Sequence, residues 1–403
     1  MNVLFLSPNY PPEMRDFTRG LAEVGARVVG VGDTPAQGLV PMVKEALAGY
    51  IQCPLTDKDR VLAEVRRSGV AFDRIECLWE PFVELAAWLR EQLGVPGMRL
   101  STAVSFRDKE IMKQKVEAAG LRVPYHFRAR TEEEVKRAIE KMGFPAILKP
   151  IAGAGSADTF RVNNGADLDA ALAKTRHVSE VSVEEFIDGE EFTFDTICIQ
   201  GKPAYMNVAQ YHPRPLIARS NEWISPIVVT LRDLNDPKLA AGIKLGLEVL
   251  DAMGMGDGFT HMEWYRKPNG EVVFGEIGGR SAGGHLVDQM NYTSDTDLFR
   301  EWARAVCWHD FRGRSERLYN CAIIFKRAIG EGRITRIEGL EGYKARYGRH
   351  MVDEQLLRPG TPRRSWLQTL VSDGFVVVRH PDYGATMQMA RAATTDITLY
   401  AGG

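Results

Sequence analysis

At 403 residues the chain is longer than one ordinary core organises; at roughly 100–200 residues per domain it is expected to form two to four domains. Hydrophobic residues make up 44% and charged residues 26%, which excludes a wholly disordered chain. A formal net charge of −2 excludes a global electrostatic pull toward nucleic acid or an anionic membrane, and the local basic run at 358–364 reads as a solvated loop.

The opening "NVLFL" is apolar over too few residues, and lacks the basic flank, for a secretion signal, so it reads as a buried first strand. No stretch approaches the ~18 apolar residues of a membrane span. Cys53, Cys77, Cys198, Cys307 and Cys321 are odd in number, scattered and never paired as CxxC, which argues against a disulfide framework or a zinc site. A reduced, cytoplasmic protein is expected.

Over the first hundred residues strands and helices alternate: "NVLFL", a helix near 13–24, "ARVVGVG", a helix at 57–69, "RIECLWE" and a helix at 82–94. That rhythm predicts a parallel sheet wrapped by helices. Its first turn, "SPNYPPEMRD", carries prolines where a dinucleotide fold carries glycines, so no phosphate cradle is expected there. "LGVPG" and "LSTAVSFRDKE" read as a connector. A helix at 109–120 follows, with Gly120 as its C-cap, then a helix at 132–143, strand "PAILKP", the glycine-rich "IAGAGSADTFRV", a helix at 165–175 and strand "VSVEEFI". A polar connection near 211–226, a helix at 236–253 and a hairpin from 259 to 277 come next. After Asp310 short strands and Gly/Pro turns predict a further α+β domain that closes with a helix near 385–395.

In the hairpin "FTHMEWYRKPNGEVVFGEI" the Asn269-Gly270 pair is a strong turn signal. With these as a two-residue turn, Glu263 stands directly opposite Glu276, and His261 opposite Gly278. Pro268 leaves a longer loop as the alternative. Carboxylates roughly 4.5–5.5 Å apart at Cβ repel, so a positive group is expected between them. A divalent cation such as Mg²⁺ would serve, and so would a structural arginine, with Arg280 the candidate.

Lys149 ends an apolar strand just before Gly153 and Gly155, a pattern suited to phosphate but shared with any surface lysine before a turn. "VEEFIDGEEFTFD" runs through a turn at Asp188-Gly189 to Glu191, which could accept from a ribose hydroxyl or belong to a solvated acidic hairpin.

In this order, Asp108-Lys109 opening a helix, Lys149 before the glycine-rich loop, "EEFIDGEEF", and Glu263 with Glu276 thirteen residues later resemble the ATP-grasp ligases over nearly the whole chain. The resemblance implies a fold of α/β and α+β parts: an N-terminal α/β pre-ATP-grasp domain at 1–104, the ATP-grasp domain at 105–310 with a smaller lid subdomain at about 120–190, and a C-terminal α+β domain at 311–403 like the biotin-carboxylase tail. It also implies that Lys109 and Lys149 contact ATP phosphates beneath a loop with Gly153, Gly155 and Ser156. Glu184, Glu185, Phe186 and Ile187 would receive adenine, largely through the backbone of Glu185 and Ile187, Glu191 would take the ribose, and Glu263 and Glu276 would bind Mg²⁺ or Mn²⁺. Gly278 departs from the pattern, standing where many members carry a metal-binding Asn, and it could open space for His261 or a substrate, though His261 equally reads as a buried structural histidine.

"EIGGRSAGG" further resembles the L-amino-acid ligase group, where Glu-x-x-x-Arg precedes a glycine-rich loop. That implies an ATP-dependent carboxylate–amine ligase in which Lys149 and Arg280 are catalytic, Arg280 holding the substrate carboxylate or acyl phosphate. Biotin carboxylases carry Gln-Val-Glu-His where this chain has Ser281 to His285, which argues against carboxylation. Glu80 is a candidate for a substrate ammonium or a helix-terminal acid. His212, Arg214 and Arg219 belong to the acceptor side or to a solvated loop. The expected partners are a small-molecule carboxylate and amine, without nucleic acid or membrane, and a homodimer is the assembly considered. A carboxylase, a nucleotide-precursor ligase and a decayed nucleotide-binding module are the rivals.

Overall fold

The computed structural model describes residues 1–151 and 158–403; the expected phosphate-loop residues Gly153, Gly155 and Ser156 lie outside them. Strands β1 (Asn2–Leu6), β2 (Arg27–Gly32), β3 (Leu47–Gln52) and β4 (Arg74–Glu76) form a parallel sheet in the order β3-β2-β1-β4. Alternation along β1 divides its side chains between two cores. Leu4 and Leu6 face the N-terminal helices, whereas Val3 and Phe5 join Phe17, Phe259 and Trp302 in a core shared with the middle of the chain. The N-terminal layer is thereby packed onto the site-bearing region.

The connector expected around 100–110 is instead a helix, Leu100–Arg107, with Ala103, Ser105 and Phe106 buried. The stretch holds no Gly or Pro to break a turn. Asp108 ends it and caps the next helix, Lys109–Ala118, by accepting from the backbone N–H groups of Glu110 and Ile111 at 3.0 Å each.

Strands β5 (His126–Ala129), β6 (Ala146–Pro150), β7 (Phe160–Val162) and β8 (Val181–Glu185) make a small antiparallel sheet in the order β5-β8-β6-β7. The larger, eight-stranded sheet contains β9 (Glu190–Ile199), β10 (Lys202–His212), β11 (Ile227–Thr230), β12 (Gly258–Arg266) and β13 (Val272–Gly278). Because β8 and β9 belong to different sheets, 183–195 is no hairpin: residues 186–189 cross between the sheets. The connection expected near 211–226 contains the end of β10 and a short helix, Pro215–Ser220.

Beyond 310, β14 (Asn320–Phe325), β16 (Met351–Glu354) and β17 (Phe375–His380) extend the large sheet, whose order is β13-β12-β9-β10-β11-β14-β17-β16. Between them, β15 (Arg333–Glu338) pairs with β18 (Thr398–Gly402). The change in sequence texture at 310 therefore marks no break in the sheet.

The β12–β13 hairpin follows the longer-loop alternative. The Lys267 N–H bonds the Glu271 carbonyl, the Gly270 N–H bonds the Lys267 carbonyl, both at 2.9 Å, and Gly270 has φ +86°. This three-residue turn shifts the pairing by one, so Trp264 faces Phe274. A bulge at Gly275 shifts it back, and Glu263 faces Glu276 while His261 faces Gly278. Glycine is needed at the bulge, because a Cβ on Gly275 would stand 2.7 Å from the Glu263 carbonyl oxygen.

Candidate active site

Alternation in β12 sends Met262 and Trp264, both fully buried, into the core, and turns His261, Glu263 and Tyr265 the other way. Helix Lys109–Ala118 lies against this hairpin through Met112, whose sulfur accepts from the Ile277 N–H at 3.3 Å. Its N-terminus is tied to the residue after β6, the Lys109 N–H bonding the Ile151 carbonyl at 3.2 Å. A cleft opens between the two sheets, and Lys109, Lys149, Glu184, Glu185, Phe186, Ile187, Glu191, Glu263 and Glu276 all line it.

Its floor is a network of buried charge. Lys149 Nζ lies 3.1 Å from Glu184 and 3.5 Å from Glu276, and Lys109 Nζ 3.6 Å from Glu276. Lys113, fully buried, reaches Glu184 at 2.8 Å. Burial alone would raise the Glu184 carboxyl, but Lys113 and Lys149 hold it down to about 2. Glu276 is likewise held well below the usual carboxylate range, burial being outweighed by Lys109 and Lys149. Lys149 stays firmly charged, because Glu184 and Glu276 override its desolvation. Lys113 is drawn down to about 8 by burial, which its pair with Glu184 offsets only in part.

Glu263 differs: among the described residues its close partners are Tyr211 and His261. Burial and then the neighbouring Glu276 raise its pKa; the Tyr211 hydroxyl donates to it at 3.3 Å, and His261 stands 3.8 Å away. His261 Nδ1 is 2.5 Å from Asp195, whose other oxygen accepts from Thr193 and Asn207 at 2.7 and 2.9 Å. Although desolvation opposes it, Asp195 raises the His261 pKa.

Among the described residues no group of three or more His, Cys, Asp or Glu side chains is arranged to hold a metal. Two directly opposed carboxylates at the cleft do match an ion bound mainly through phosphate oxygens. Arg280 is not the charge between them: its Nε bonds Glu80 and its Nη1 donates to the Ser281 carbonyl at 2.7 Å. Glu80 also holds Arg107, so guanidinium groups engage both of its oxygens. Despite burial, Arg280 and Arg107 keep Glu80 below its ordinary value. A Cβ on Gly278 would meet Arg280 Cγ at 3.3 Å, so this glycine makes room for the arginine stem, not for His261.

Within the segment expected to receive adenine, the Glu184 carboxylate pairs with Lys113 and Lys149. Glu185 is engaged by Arg122 at 2.8 Å and by the Tyr125 N–H at 3.1 Å. Arg214, expected on the acceptor side, reaches into the cleft and pairs with Glu191 at 3.0 Å. Glu191 is pushed up to about 8, by burial first and Glu263 second, with Arg214 opposing. Arg219 points away and bonds the Leu367 carbonyl at 3.1 Å. His212 does not line the cleft; it follows Tyr211 in β10 and so faces the opposite side of the sheet.

Sequence reasoning missed Lys113, Asp195, Tyr211 and Arg107. Lys113 follows Lys109 by one helical turn and shares its face, a usable signal. Asp195 stands as a lone acid inside the apolar "FTFDTICI".

Residues 142–289 match the family described as ATP-grasp domain. Over 239 residues the chain is 28% identical to the L-arginine-specific L-amino acid ligase of Bacillus subtilis, covering 58% of this chain and 57% of that protein. It is 26% identical over 290 residues to the D-alanine--D-alanine ligase of Paenarthrobacter aurescens, covering 64% of this chain and 76% of that one. The first two curated relatives are matched over 57% and 64% of their length, less than two thirds of each. The crystal structure of an L-amino acid ligase from Bacillus licheniformis superposes with a TM-score of 0.81 at 20% identity, over 100% of this chain and 99% of that one, and shares its fold. Among the described residues no helix is long and apolar enough to cross a membrane.

Proposed function

From a chain that contains an ATP-grasp domain, we propose an ATP-dependent carboxylate–amine ligase that activates an amino acid as an acyl phosphate and joins it to an amine. The observation that carries this reading is the cleft itself: Lys109 and Lys149 stand within 3.6 Å of Glu276, Glu276 faces Glu263 across β12 and β13, and Phe186, Ile187 and Glu191 line the same space. Sequence relatives that are ligases support it.

Lys109 and Lys149 would donate to the phosphates, and Glu191 would accept from the ribose. Mg²⁺, held by Glu263 and Glu276, would supply charge neutralisation on the phosphate oxygens. The acid's oxygen attacks the γ-phosphorus, an O–P bond forms, and the bond to the β–γ bridging oxygen breaks with release of ADP. The amine lone pair then adds to the acyl carbon, the C–O bond to phosphate breaks, and the amine proton leaves to solvent. Arg280, joined to the N-terminal layer through Glu80, would hold the substrate carboxyl oxygens as charge moves onto phosphate. Positioning and charge compensation, rather than a protein nucleophile, supply such catalysis. The five cysteines are free and buried, consistent with a reduced, cytoplasmic setting.

The test is a screen of amino-acid pairs with Mg-ATP for phosphate release, with products identified by mass. The expected product is lighter by one water than its two substrates together, and Glu276→Gln abolishes it. Phosphate release at the wild-type rate in Glu276→Gln would remove the metal assignment.

A further inference from the structure

We propose that Arg214 is a nucleotide-positioning residue that sets selectivity for the ribose hydroxyls; this rests on the nucleotide reading of the cleft. Its guanidinium uses two edges. Nε donates to Glu191 Oε2 at 3.0 Å, and Nη1 donates to the Ile187 carbonyl at 2.7 Å. The same group lies 5.1 Å from the Phe186 ring and 4.9 Å from the Tyr265 ring. The side chains of Arg214 and Glu191 are 15% and 6% exposed, so this pair is not a solvated surface contact.

One side chain therefore ties the acid at the start of β9 to the inter-sheet crossing at 186–189, which approaches from the small sheet. With Oε2 held by Arg214, Oε1 of Glu191 would be left for a ribose hydroxyl. Arg214 is itself fixed from outside the cleft. It precedes helix Pro215–Ser220, and Arg327 holds the far end of that helix by donating to the Ala218 and Asn221 carbonyls at 2.8 Å each. Lysine, a single point donor, cannot bridge Glu191 and Ile187 while lying along two rings.

The test is calorimetric binding of Mg-ATP, 2′-deoxy-ATP and 3′-deoxy-ATP to the full chain without acid or amine, for wild type, Arg214→Lys, Arg214→Ala and Glu191→Gln. Wild type is expected to disfavour at least one deoxy analogue by about fivefold or more, on the scale of one hydrogen bond. Both Arg214 variants are expected to bind ATP more weakly and to lose that discrimination, as Glu191→Gln does, with Arg214→Lys still unfolding in one cooperative transition. Unchanged discrimination in Arg214→Lys and Arg214→Ala would overturn the proposal alone. Failure of wild type to bind any of the three nucleotides would overturn the nucleotide reading beneath it.

Discussion

Gly275→Ala probes the local feature on which the carboxylate pair depends. A methyl carbon there would stand 2.7 Å from the Glu263 carbonyl oxygen and 3.2 Å from its carbon, whereas close C···O contacts normally begin near ~3.3 Å. The strands must part by roughly half an ångström at the point where Glu263 and Glu276 face each other. Overpacking of this kind costs about 1–3 kcal/mol. Because a misplacement of about 1 Å can cost on the order of 10²-fold in a positioned site, Mg²⁺-dependent nucleotide binding is expected to weaken by at least about tenfold. Thermal unfolding with and without Mg²⁺ and a fixed nucleotide concentration reads both effects. Gly342→Ala is the control: nothing lies within 4 Å of a Cβ there, inside helix Leu340–Tyr347, and replacing a helical glycine should stabilise by about 0.5–1 kcal/mol. An unchanged melting temperature and Mg²⁺ dependence in Gly275→Ala would refute the argument that the bulge requires glycine to place the acids.

Glu80→Gln leaves Arg107 and Arg280 with one neutral partner between them; it is expected to lower the melting temperature and raise KM for the acid more than KM for ATP, and equal changes in both would contradict the placement of Arg280 on the acid side. For Glu191 the folded state binds the extra proton between the ordinary 4.5 and about 8, so its contribution to stability falls as pH rises through that window. The melting temperature of Glu191→Gln relative to wild type should therefore climb from pH 5 to pH 8, and a pH-independent difference would argue against a raised carboxyl.

Much of this site is local in origin and so legible in the chain. Asp108 capping the helix that starts at Lys109, Lys149 at the end of β6, and the alternation of β12 that presents Glu263 all follow from short-range pattern. The Glu263–Glu276 pairing emerges for a subtler reason: the three-residue turn and the Gly275 bulge shift the register in opposite senses and cancel. What the sequence does not disclose depends on which sheet a strand joins. "VEEFIDGEEF" looks like one acidic hairpin, but the chain crosses between sheets at 186–189, placing the Glu184 carboxylate among lysines and Glu191 beside Arg214. Arg107 and Glu80 meet Arg280 through packing of the N-terminal layer on the large sheet, a contact spanning 200 residues for Glu80 and Arg280. The segment 100–107 became helical where a connector was expected because its buried Ala103, Ser105 and Phe106 need a partner surface that lies elsewhere in the chain.

Activation of the acid as an acyl phosphate is tested most directly by following its oxygens. With a substrate amino acid labelled with ¹⁸O in its carboxylate and turned over with Mg-ATP and an amine, the account predicts one ¹⁸O in the released inorganic phosphate for each amide formed. Amide formation with no ¹⁸O in phosphate, or with the label in AMP, would contradict it.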